Sequence, residues 1–157
     1  MSVPIDDGYC FACGPENPIG LRLHFDPDAD GEGVRAVTTL AGEFQGWKSI
    51  AHGGIAMALL DEAMAHAAGH AGHRGMTASI NVRFRKPVPI GAPISITGRV
   101  AWQRRNVLGL EAKLSDASGT VLADGEGKFV SMGSLDAIDD YRVGARNKKT
   151  KSRSQDG

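Results

Sequence analysis

The chain has 157 residues with 18 acids and 18 bases, a length that fits one domain able to bury a core without staples. Its 41% hydrophobic and 23% charged residues exclude a disordered or fibrous chain. No stretch reaches the roughly 18 uncharged apolar residues of a membrane span, and the start, Met1-Ser-Val-Pro-Ile-Asp-Asp7, lacks a secretory signal's basic and apolar regions, so the expected location is cytoplasmic with no membrane partner.

Residues 8–20 are dense in Gly, Pro and Asn and read as a loop. Residues 21–25 alternate apolar and polar, the period of a half-buried strand. Residues 26–33 carry turn chemistry, and 34–40 form a second predicted strand. After His52-Gly53-Gly54, residues 55–69 are rich in Ala, Leu and Met, which favour helix, with Gly69 as the stop. The helix is apolar almost all round, which predicts burial. Only the Asp61-Glu62 pair interrupts it.

Residues 77–85 alternate, with Ala78, Ile80, Val82 and Phe84 on one side and Thr77, Ser79, Asn81, Arg83 and Arg85 on the other. A turn follows at 87–91. Residues 93–103, 107–116 and 120–130 are β-rich runs joined by turn-like Arg105-Asn106 and Asp116-Ala-Ser-Gly119. The last sixteen residues, 142–157, hold six Lys or Arg against one acid, leaving a net of −5 on residues 1–141. Nearly free of large apolar groups, they are expected to be a disordered basic tail on a single domain spanning 1–141. The negative body argues against a nucleic-acid partner. Two strands, one helix, then four antiparallel strands make an α+β plan in which the sheet curls around the helix, the hotdog architecture.

Three features suggest chemistry. His52-Gly53-Gly54 sits at the helix N-terminus, where free N–H groups and the positive dipole end can hold an oxyanion. Asp61 lies within the apolar helix, where a carboxylate needs a partner or a purpose. Thr77 supplies a hydroxyl on the next strand. Asp61 is eight residues beyond Gly53, roughly 12 Å along the axis at ~1.5 Å per residue. One short carboxylate does not reach a carbonyl held at its own helix's start. A shared site in a two-fold assembly removes the difficulty.

The run from Phe44 through His52-Gly53-Gly54 to Asp61-Glu-Ala-Met64 resembles the hotdog acyl-CoA thioesterases of the phenylacetyl-CoA and 4-hydroxybenzoyl-CoA type. Gly-Met-Thr77 with Phe84-Arg-Lys-Pro87-Val-Pro-Ile-Gly91 is similar to that family's third-strand signature. Cys10-Phe-Ala-Cys13-Gly-Pro-Glu-Asn-Pro-Ile-Gly-Leu21 is similar to the lead of one bacterial branch. The resemblance spans about residues 9–131. It implies Asp61 as general base or nucleophile, the Gly53 N–H assisted by His52 as oxyanion donor, and Thr77 as the hydroxyl that positions water. It further implies a homodimer or homotetramer, an acyl-CoA substrate and no separate cofactor. Many members carry Asn six residues before the His; here that position is Gly46, and Gln45 is the substitute carboxamide.

The remaining polar residues have duller readings beside functional ones. Glu62 lies about 100° around the helix from Asp61 and is expected to be structural or dimer-pairing. Cys10 and Cys13 have zinc spacing but no second pair, and His24 lacks a partner, so reduced structural cysteines and no metal are expected. His66, His70 and His73 crowd the helix end, which favours cations without any metal. Gly54 is placed with Arg83, Arg85 and Lys86 in substrate binding, the basic side chains toward CoA phosphates, with Arg104 and Arg105 as further candidates. Rival functions for the same fold are a non-catalytic acyl-CoA sensor and an acyl-thioester hydratase or dehydratase.

Overall fold

A computed structural model of the chain describes residues 4–134. The predicted tail at 142–157, and the domain boundary at 141, lie outside the described residues. Among the described residues, six strands and one long helix run in the order β1 (Asp26–Pro27), β2 (Gly33–Thr39), α1 (Gly53–His70), β3 (His73–Phe84), β4 (Pro93–Arg104), β5 (Val107–Asp116) and β6 (Val121–Ser134), with a 3₁₀ turn at Gly42–Phe44. They form one sheet in the order β1-β2-β4-β5-β6-β3, every neighbouring pair antiparallel. Helix α1 packs against β2, β3, β4, β5 and β6, so the sheet curls around it. This is the hotdog fold.

The core is the seam between helix and sheet. Leu59, Leu60 and Met64 of α1 meet Ile94 and Ile96 of β4 and Leu108 and Leu114 of β5, all fully buried. Each such side chain contributes roughly 1.5–3 kcal/mol. The alanines let the helix lie close: a Cβ at Gly98 of β4 would fall 2.4 Å from the Ala63 carbonyl oxygen. Glycine is required where strand backbone meets helix backbone.

Two expectations are corrected. Residues 21–25 are not a strand. Arg22 sits at φ 52, outside β geometry. The Leu21 and Leu23 amides donate instead to the Phe11 and Ala12 carbonyls, at 2.9 Å each, so the segment folds against the preceding loop. The alternation of burial is nonetheless kept: Leu23 is buried, Leu21 and Phe25 pack half-buried against the core, and Arg22 and His24 are exposed. The helix stop is also displaced: α1 runs to His70, and Gly72, at φ 92, takes the left-handed conformation expected at Gly69.

The helix is also not buried on every side. Ala56, Leu59, Leu60, Ala63, Met64, Ala67 and Ala68 form its covered face. Met57 is exposed, and Ala58, Asp61 and Ala65 are only half-buried. A single chain thus leaves an apolar strip of α1, with Asp61 in it, facing outward. No helix among the described residues is long and apolar enough to cross a membrane.

Candidate active site

The segment entering α1 is held by backbone hydrogen bonds. The His52 amide donates to Phe44 O at 2.9 Å, and the Ala51 amide to Val88 O at 2.8 Å, tying it to the loop after β3. His52 is the helix N-cap: its Nδ1 accepts the Gly54 N–H at 2.9 Å, and its carbonyl accepts the Ile55 and Ala56 amides. Neutral His52 therefore carries its proton on Nε2. A Cβ at Gly54 would lie 3.0 Å from His52 Nδ1, so the second glycine makes room for the cap. The Gly54 amide, expected to meet substrate, is already engaged.

Gly53 differs. It is exposed, and its N–H donates no hydrogen bond among the described residues. It lies where the helix dipole is positive. Its missing Cβ would stand 3.7 Å from the Phe84 ring, so the end of β3 borders the helix start. Sequence reasoning did not single out Phe84; its one available signal was a large aromatic ring placed next to three cations. Gln45 is exposed, bridges to Ala51, and accepts the Ser49 N–H on its Oε1 at 3.3 Å. It thus stands in the same loop that delivers His52.

Asp61 and Thr77 are brought together. The Thr77 hydroxyl donates to Asp61 Oδ1 at 2.7 Å, across half-buried surface. Simple alternation placed Thr77 on the opposite side of its strand from Ile80 and Val82, and the structure reverses this. In the β3–β6 register Thr77 faces Phe129 and Ser79 faces Lys128, so Ala78 is an extra residue. The bulge shifts the strand's phase by one and turns Thr77 onto the helix side with Ile80 and Val82.

The cations are dispersed. Arg83 and Lys86 are exposed, while Arg85 forms an ion pair with Asp124. That pair holds the Asp124 carboxyl below the usual carboxylate range, chiefly through the Arg85 hydrogen bond. Arg104 and Arg105 lie at the β4–β5 turn, whose Asn106 carbonyl accepts the Ser131 amide. Val107 pairs with Val130, and Val130 with Met76, so this turn is at the opposite end of β3 from Arg83 to Lys86. One chain does not unite the two groups.

The histidines also separate. His66 Nε2 approaches Glu62 at 3.2 Å and its ring stacks on Phe25. His70 meets the Gly31 carbonyl, and His73 the Ser131 hydroxyl. A hollow of about 350 Å³ between Ser79, Trp102, Glu111 and Lys128 contains none of the candidate residues.

The thioesterase superfamily model matches residues 48–123, which include His52, Gly53, Asp61, Thr77 and Arg83 through Lys86 but not Gln45. No protein of curated function matches the sequence. Among solved structures, a crystallised thioesterase superfamily protein is 27% identical, with a TM-score of 0.76 over 83% of this chain and 68% of that one. The PaaI protein of the Escherichia coli phenylacetic acid degradation operon is 19% identical, with a TM-score of 0.65 over 73% and 82% of the two chains. A hypothetical thioesterase from Streptococcus pneumoniae, solved with coenzyme A, is 17% identical, with a TM-score of 0.66 over 71% and 87%. Residues 48–123 are thus similar to the thioesterase superfamily, and the chain has the hotdog fold of its solved members.

Proposed function

We propose that this chain hydrolyses an acyl-CoA thioester, giving a carboxylic acid and free CoA, at a site shared between two copies of the chain. The observation that carries the reading is the Thr77–Asp61 hydrogen bond on the outward strip of α1, with the uncommitted Gly53 amide eight residues earlier. About 12 Å of helix separates the two, at ~1.5 Å per residue. A two-fold pairing brings Asp61 and Thr77 of one copy opposite His52 and Gly53 of the other, twice per dimer. The exposed Trp47, Met57 and Phe84 are large apolar side chains of the kind a second copy covers.

In this mechanism the thioester carbonyl points its oxygen at the Gly53 N–H, and the helix terminus stabilises the tetrahedral oxyanion. Asp61 takes a proton from the attacking water, or attacks the carbonyl carbon itself to give an anhydride that water opens; CoA thiolate leaves in either case. A single turnover in labelled water, with the label traced to product or to Asp61, separates the two. Thr77 fixes the carboxylate, and His52 holds the glycine turn open. The chain needs no cofactor, CoA being part of the substrate. The coenzyme A complex of the similar streptococcal protein supports that ligand class. Arg83 and Lys86 are free to meet its phosphates, while Arg85 is held by Asp124.

The test is a panel of aliphatic and aryl acyl-CoAs, the phenylacetyl and hydroxybenzoyl esters included, with free thiol as readout. Saturable thiol release by a dimer or tetramer is expected. Tight binding without release would make the chain a sensor, and loss of an enoyl chromophore without thiol would make it a hydratase. A monomer with full activity would end the shared-site reading.

A further inference from the structure

We propose that Cys10, Cys13, Glu62 and His66 form a tetrahedral zinc site that fastens the N-terminal lead to the helix carrying Asp61. The sequence offered two thiols at zinc spacing and no second pair of ligands, and His24, the nearest candidate, is engaged with exposed Asp26. The second pair comes from α1. Cys10 Sγ lies 3.7 Å from Glu62 Oε1, although the residues are 52 positions apart. Donor atoms of Cys10, Cys13 and Glu62 all fall within 4.8 Å of one another. His66, one turn further along the same helix, places Nε2 3.2 Å from Glu62 Oε1.

Cys10, Cys13 and Glu62 lie close enough together to share one ion, and His66 stands beside Glu62 as the fourth donor. Zinc bonds of ~2.3 Å to sulfur and ~2.0–2.1 Å to nitrogen and oxygen give tetrahedral edges of about 3.6 Å between S and O and about 3.4 Å between N and O. The observed 3.7 and 3.2 Å match those edges. Two thiolates, one carboxylate and one imidazole are a donor set zinc prefers.

The cysteine loop is also built to hold its shape. The Gly14 amide donates to Cys10 O at 2.8 Å, and the carbonyls of Phe11 and Ala12 accept the Leu21 and Leu23 amides. A Cβ at Gly14 would fall 2.3 Å from Cys10 N and 2.5 Å from Gly8 O, so only glycine follows Cys13. A zinc ion displaces both thiol protons, which pass to solvent, and its two positive charges offset two of the three negative charges of the thiolates and carboxylate.

The test uses the full chain, reduced, stripped by a chelator and titrated with Co²⁺ and then Zn²⁺. Expected are one Co²⁺ per chain, a thiolate-to-cobalt charge-transfer band with the strong visible bands of tetrahedral cobalt, release of two protons, and bleaching by Zn²⁺. Cys13→Ser and Glu62→Gln are expected to weaken Co²⁺ binding by roughly 100-fold or more, the scale of losing one ligand in four. His66→Ala should keep the charge-transfer band and shift the visible ones, and Asp61→Asn should bind as the parent does. If the cysteine variant does not fold, the parent titration and the Glu62 and His66 variants decide alone. A weak octahedral spectrum, titration unchanged in both helix variants, or a Cys10–Cys13 disulfide that forms in the presence of excess Zn²⁺ would overturn the site. None of these readouts depends on thioester cleavage, so the two proposals fail separately.

Discussion

Replacing Thr77 by Val keeps shape and volume and removes one donor. The lost bond joins a hydroxyl to a carboxylate at 2.7 Å, on surface that is half-buried. Hydrogen bonds to charged groups contribute about 1.5–3 kcal/mol, and partial exposure argues for about 2. If that energy serves to hold Asp61 in its reactive orientation, kcat falls roughly 30-fold, at ~1.4 kcal/mol per tenfold. KM should change little, because Thr77 acts on the carboxylate and not on CoA. Thr77→Ser restores the donor and should recover kcat to within about 3-fold, half a decade or ~0.7 kcal/mol. Adding Asp61→Asn to Thr77→Val should cost nothing beyond Asp61→Asn, since both act through one group. The assay is steady-state thiol release on the best acyl-CoA, with kcat and KM separated and thermal unfolding measured alongside. Wild-type kcat in Thr77→Val, or a Ser variant as impaired as the Val variant, would refute the positioning role.

Asp61→Asn alone is expected to lower kcat by at least ~10²-fold, the scale of a lost general base, while calorimetry still detects substrate binding. Co-refolding inactive Asp61→Asn with inactive Gly53→Val should restore activity to roughly a quarter of wild type, since random pairing makes half the dimers mixed and each has one intact site of two; mixed dimers, verified by mass, that stay inactive would count against the shared geometry. Asp116 closes the β5–β6 turn, accepting the Ser118 hydroxyl at 2.7 Å and the Ser118 and Thr120 amides at 2.9 and 3.0 Å, and the Ser118 hydroxyl chiefly holds its carboxyl below the usual range. A depressed folded pKa stabilises above the unfolded value near ~3.9 and is lost as pH falls through the folded one, so the Tm gap between wild type and Asp116→Ala should be full at pH 6 and narrow below about pH 4.

The sequence by itself determined what depends on short-range periodicity. The Ala, Leu and Met run after His52-Gly53-Gly54 specified a helix, because helix formers and a glycine-rich start act within a few residues of one another. Apolar alternation and turn residues located β2 through β6 to within a few positions. Axial rise alone separated Gly53 from Asp61. Alternation misled at residues 21–25, where a left-handed Arg22 and bonds to the preceding loop replaced a strand.

What only the tertiary structure decided is direction and company. Thr77 faces Asp61 because one unpaired residue, Ala78, is accommodated against β6, and a bulge is a property of two strands in register. Arg85, a candidate phosphate ligand, gains Asp124 as its ion-pair partner through the same pairing. Glu62 meets Cys10 only because the lead folds back onto α1. Such contacts join residues tens of positions apart, and they form only when burial of the whole core outweighs the entropy of closing the intervening chain.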